Sequence, residues 1–209
     1  MKPAALGFRV HSGWTAVVAL SITNREPLIL ARQRLHLVET FIYKFRQPYH
    51  TAMRLPIAEA RKFVSRSESQ ARSLARRAIL AIQKDLQAQG YRLTHSGMVL
   101  ASGRKLPALP QILASHALIH TADGELFRRA ILHASARFGL ATKTVKEREL
   151  LGESSRTLRI NPSTLMRRIA NLGSPLGPPW TQDEKLSTLI AWLALASKPS
   201  TELPTHSAS

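Results

Sequence analysis

Three strand-like segments crowd into the first 38 residues before any helical pattern begins, and this most constrains the fold. Ala4 to Val10 and Trp14 to Ile22 are apolar runs separated by Ser12-Gly13, which reads as a tight turn. The stretch Thr23 to Pro27, "TNREP", is a second turn. Leu28 to Val38 then partly alternates, with Arg32, Arg34 and His36 on one face and Ala31, Leu35 and Leu37 on the other. Segments joined this closely can pair only as antiparallel hairpins. The expectation is a meander whose third strand carries a cationic face.

Helical patterns follow. Lys44 to Pro56 reads as a connector punctuated by Pro48 and Pro56. A long helix is predicted over about 57–89, ended by Gly90. Its apolar face is Ala60, Val64, Ala71, Leu74, Ala75, Ala78, Ile82 and Leu86, and Lys62, Arg66, Arg77 and Lys84 fall on the opposite face. Gly97 to Arg104 reads as a short buried strand running into a Gly-containing loop. That loop lacks the Lys-Ser/Thr ending of a phosphate-binding P-loop. A helix pair over about 109–139, with a possible break near Asp123-Gly124, precedes a charged candidate edge strand, Ala141 to Leu151. Asn161-Pro162 opens another helix, and Thr181 with Glu184 forms a capping-box pattern for the last one. Helices between later strands demand parallel crossovers. The fold class is therefore α/β: a mixed sheet, with a three-strand antiparallel meander and then helix, strand, helices, strand and helices, covered on both faces. Residues 1–196 are expected to form one domain, and 197–209, polar and rich in Pro and Ser, a disordered tail.

Charge narrows the partners. Thirty Lys and Arg against 13 acids give a formal net charge of +17, a field that attracts polyanions. Nucleic acid is the expected partner, the alternative being an ordinary solvated basic surface. The absence of cysteine excludes disulfides, thiolate metal sites and a thiol nucleophile. No apolar run approaches the roughly 18 to 20 residues that span a bilayer, so no membrane role and a cytoplasmic location are expected.

The element order resembles the ribonuclease-H-like fold. The opening, with Gly7, Gly13, Trp14 and "AVVAL", is similar to a group of uncharacterised bacterial proteins of that fold whose first hairpin reads Gly-x-Asp, a short turn, then Gly-Trp and an apolar strand. The ending, "QDEKLSTLIAWLAL", is similar to the last helix of Holliday-junction resolvases and their relatives. The resemblance implies phosphodiester hydrolysis by two metal ions held by converging carboxylates. Those acids sit on the first strand, on the fourth strand or the following helix, and on the last helix. This chain departs from that pattern. Arg9 stands at the first-strand position, the fourth strand has no acid, and only Asp183 and Glu184 remain, both also suited to capping their helix.

Other residues could still do chemistry. His116 and His120 are four apart, a two-His metal spacing, with Glu125 as a third ligand should the chain bend at Gly124. They could equally hydrogen-bond between helices, or serve as acid, base or phosphate contacts. His11, His50 and His116 could converge with Arg9, Arg34 and Ser115 in a cationic pocket for a phosphate or carboxylate. Trp14, Trp180 and Trp192 read as packing residues. The expectation is a nucleic-acid-binding protein on a ribonuclease-H-like scaffold without the two-metal acid set, needing no metal or cofactor. Its anion contacts would be Arg9, Arg34, His50, Ser115, Lys62, Arg66, Arg77 and Lys84. The alternative is a hydrolase of nucleic acid or a phosphorylated small molecule using His11, His116 and Asp183, and only there would Mg²⁺ have a place.

Overall fold

Ser12 and Gly13 reverse the chain after β1 (Lys2–His11) and return it as β2 (Trp14–Thr23), antiparallel, with His11 opposite Trp14. The second reversal is tighter than "TNREP" suggests. Asn24 and Arg25 alone form it, both at positive φ (52° and 66°), which suits the right-handed twist of a hairpin. β3 (Glu26–His36) is an edge strand, so Pro27 near its start costs no ladder bond the sheet needs. β4 (Tyr91–Leu100) lies parallel to β1, and β5 (Ala141–Lys146) parallel to β4, giving the order β3-β2-β1-β4-β5. The structure, a computed structural model, describes residues 1–101 and 105–197. Most of the expected loop after β4 (102–104) and nearly all of the expected tail (198–209) lie outside them.

Helices cover both faces, as the alternation in β1 requires. Ala4, Leu6, Phe8 and Val10 enter a core with α3 (Ile57–Ala88) and α5 (His116–Arg137). Ala5 enters a second core on the opposite face with α6 (Glu147–Leu158), α7 (Pro162–Leu172) and α8 (Gln182–Ala196). The buried side of α3 follows the expected stripe, with Ile79 added and Leu74 and Ala78 only half-buried.

Several elements differ from expectation. The connector holds two short helices, α1 (Tyr43–Arg46) and α2 (Pro48–Ala52). The strand after α3 begins at Tyr91, six residues before Gly97. The helix pair is α4 (Leu109–Leu113) followed by α5, which runs unbroken through Asp123-Gly124. The last strand stops at Lys146, because Glu147 and Glu149 fall in the first turn of α6, where the helix dipole favours acids. No described helix is long and apolar enough to cross a membrane.

α8 is buried nearly all round, from Leu186 to Ala194, and packs on β1, β4 and β2. What admits it is a pair of glycines. Gly7 and Gly97 are register neighbours on β1 and β4. A Cβ on Gly7 would lie 1.8 Å from the Ser187 carbonyl oxygen, and one on Gly97 2.5 Å from that of Ile190. Backbone cannot yield as a flexible side chain would. Gly7→Ala is therefore expected to lower stability by about 3 kcal/mol, the upper end for overpacking. Urea unfolding measures this, and an unchanged midpoint would mean that α8 does not sit on Gly7.

Candidate functional site

The docking of α8 carries Asp183, in its first turn, to the end of β1. His11 Nε2–H donates to Asp183 Oδ1 at 2.9 Å. The capping job falls to the neighbour. Glu184 accepts from the Thr181 amide at 2.8 Å, while Thr181 Oγ1 accepts from the Asp183 amide at 3.3 Å. Two residues before His11, on the same face of β1, Arg9 Nη2 meets Glu147 Oε2 at 2.7 Å. Arg9 is 19% exposed and its Nε is buried without a partner.

Trp14 lies on β2, between His11 of β1 and Arg34 of β3. The His11 ring stacks on it with centroids 4.3 Å apart and planes 13° apart, and the Arg34 guanidinium lies 3.9 Å from its centroid. The expectation of a core tryptophan is corrected: Trp14 is half-buried and is flanked by His11 from β1 and Arg34 from β3. Trp180 and Trp192 do pack, with the Trp180 indole N–H donating to the Ile169 carbonyl at 3.0 Å. Arg32, on the expected cationic face of β3, donates to the carbonyls of Leu176 (2.8 Å), Pro178 (3.2 Å) and Pro179, tying down the Pro-rich loop before α8.

The expected single pocket does not form. Arg9, His11 and Arg34 meet Asp183, Glu147 and Trp14 on the α8 side of the sheet. His50 and His116 are elsewhere, on α2 and α5. Their partner is His120, with ring centroids 5.4 Å (His50–His116), 4.4 Å (His50–His120) and 4.4 Å (His116–His120) apart. His50 is buried, the other two exposed, and their ligand nitrogens lie within 4.8 Å of one another. Ser115 precedes α5 at its N-cap position but makes no side-chain cap bond.

Behind this cluster is Asp123. It accepts from His50 Nδ1–H at 2.5 Å and from the Tyr49 amide at 2.7 Å, and is 2% exposed. Burial pushes its carboxyl above the ordinary value, against the opposing pull of those two hydrogen bonds. Burial also pushes the Tyr49 phenol up to about 12, with Glu68 adding to the effect. Glu125, considered as a ligand, is held by Arg128 (3.0 Å) and Arg129 (3.6 Å), since α5 does not bend at Gly124.

Lys62, Arg66, Arg77 and Lys84 are exposed on the outer face of α3. Beside them is a groove of about 270 Å³ that the sequence reading missed, lined by Ser69, Arg72, Ser73, Arg76, His133 and Arg137. The signal was present: Arg72 and Arg76 are four apart on α3, as are His133 and Arg137 on α5.

Among the described residues, only His50, His116 and His120 form a group of three His or acidic side chains close enough to hold a metal ion. Among the described residues, no such group of carboxylates lies at the end of β1. Glu147 and Asp183 are there, Glu147 paired with Arg9 and Asp183 hydrogen-bonded to His11.

No protein-family description and no curated protein matches the chain. Solved structures do. It is similar to Thermus thermophilus RuvC in complex with a Holliday-junction substrate, at 8% identity over 91% of this chain and 90% of that one, with a TM-score of 0.51. A second Thermus thermophilus RuvC structure gives 7% identity, 91% and 92% coverage and a TM-score of 0.47. An Aquifex aeolicus member of the Ppx/GppA family gives 7%, 76% and 40%, and 0.36. The fold is ribonuclease-H-like. The narrower likeness of the first hairpin to one uncharacterised bacterial group has no support beyond that fold.

The Arg9–Glu147 pair gives a test of its own. Glu147 is 43% exposed, so Glu147→Gln is expected to cost about 1–2 kcal/mol, chiefly by leaving a half-desolvated guanidinium uncompensated. Arg9→Met with Glu147→Gln should recover most of that loss. Urea unfolding of the single and double variants measures it, and a double variant no more stable than the single one would contradict it.

Proposed function

We propose that this protein binds nucleic acid and does not cut it by two-metal chemistry. The observation that carries this reading is the Arg9–Glu147 ion pair: a guanidinium stands at the first-strand position where the resemblance calls for an acid. A divalent ion would meet repulsion from Arg9 and find Glu147 and Asp183 engaged. Support for the partner comes from the charge of +17, from the exposed cations of α3 and the adjoining groove, and from a structural neighbour solved with a DNA junction. Arg72, Arg76 and Arg137 are suited to phosphate oxygens, which they can grip in pairs. Such contacts position a strand without reading its sequence.

A second reading rests on the His11–Asp183 hydrogen bond. A carboxylate that fixes an imidazole is the arrangement of a proton-transfer group, and Arg9 and Arg34 stand near enough along the strands to favour an oxyanion. That reading makes the protein a metal-independent phosphodiester or phosphate hydrolase. His116, on α5 with His50 and His120, would take no part in it.

Gel shifts with labelled duplex, single-strand and four-way-junction DNA, and with RNA, over a salt series separate these readings. Binding should weaken steeply with salt. Replacing Arg72, Arg76 and Arg137 with Gln should flatten the log–log slope by about 1 per lost phosphate contact. No product should form with Mg²⁺ or Mn²⁺. Absence of binding at low salt would overturn the proposal, as would metal-dependent cleavage lost in Asp183→Asn. Cleavage that persists in EDTA and disappears in His11→Ala would establish the second reading instead.

A further inference from the structure

We propose that His50, His116 and His120 form a binding site for a divalent transition cation of the zinc class, with Asp123 orienting His50 from behind. The site is separate from the end of β1 and does not rest on the nucleic-acid reading. Its parts come from two elements. His116 and His120 are one turn apart on α5, so their rings emerge on one side of it. α2, packed against α5, brings His50 over that side.

The rings are arranged for convergence rather than for stacking. Their planes cross at 89° (His50–His116), 66° (His50–His120) and 86° (His116–His120). One nitrogen from each lies within 4.8 Å of the other two. Zinc–imidazole bonds of about 2.0–2.1 Å in a tetrahedron put ligand nitrogens roughly 3.3 Å apart. Small side-chain rotations of His116 and His120, both exposed, close the difference.

The shell behind the ligands is already built. Asp123 accepts the Nδ1 proton of His50, which leaves Nε2 as its free ligand atom, and its other oxygen accepts the Tyr49 amide, which fixes the turn carrying His50. A carboxylate holding a ligating imidazole is the usual support of such sites. A cation at the three nitrogens also places positive charge near an acid that is 2% exposed. Three imidazoles with no sulfur or carboxylate among the ligands suit zinc and its late first-row neighbours rather than Mg²⁺ or Ca²⁺. Because two of the three ligands are exposed, the fourth position faces solvent and would hold water.

The test uses the full chain after dialysis against EDTA. Titration with Co²⁺ should give the visible absorption of a tetrahedral centre, saturating at one equivalent per chain, and Zn²⁺ should displace it. Zn²⁺ should also raise the thermal midpoint, since it binds the native state. His120→Ala, an exposed change that leaves the core alone, should weaken Co²⁺ binding by about a hundredfold. Asp123→Asn should weaken it by about 10- to 100-fold while the spectrum stays tetrahedral. No tetrahedral spectrum, or binding unaltered in a folded His120→Ala protein, would overturn the proposal. Several equivalents bound with equal weakness would overturn it too.

Discussion

The close approach of α8 to the sheet, through the paired glycines Gly7 and Gly97, is the constraint on which the rest depends. An apolar helix buried nearly all round needs cover on every side, and two adjacent strand positions without side chains, Gly7 and Gly97, let its backbone come within contact of theirs. That approach fixes where the helix begins. The loop ahead of it is held by Arg32 and Trp180, and its N-terminus is capped by Thr181 and Glu184. Asp183 is thereby delivered to His11.

At the end of β1 both carboxylates have partners. Glu147 faces Arg9 and Asp183 faces His11. A unit charge about 4 Å from a divalent ion contributes roughly 8 kcal/mol at an effective dielectric of about 20. Exchanging an acid for Arg9 reverses the sign of a quantity that large, which no small adjustment of the remaining side chains offsets. α8 is held by apolar burial rather than by the Asp183–His11 contact at its tip.

The two faces of the sheet divide the chemistry. On the α8 side, Arg9 meets Glu147 and His11 meets Asp183 beside Trp14, with Arg9 Nε left without a partner. On the other side, α3 and α5 line a groove with Arg72, Arg76 and Arg137, of which Arg72 also meets Glu68 at 3.9 Å, and α2 and α5 gather three imidazoles over a buried acid. Reading His11, His50 and His116 as one pocket failed because it ignored the sheet between them: β1 aims His11 to one face, and α2 packs on the other.

Local physics alone determined the scaffold. Three strand-like segments separated by turns too short for a crossover had to form a meander, and the 3.6-residue stripe of α3 had to lie on it. Asn161 and Thr181 marked their helix starts because a cap is a contact over two or three residues. The same locality explains the error after β5: charge suits an edge strand and a first helical turn alike, so Ala141 to Leu151 reads as one strand, whereas α6 takes over at Glu147. Only the tertiary structure decided which charges meet. His11 and Asp183 are 172 residues apart in the chain, and His50 and Asp123 are 73. Such partnerships depend on the face a strand residue occupies and on where a distant helix docks, and no periodicity within a single segment encodes either.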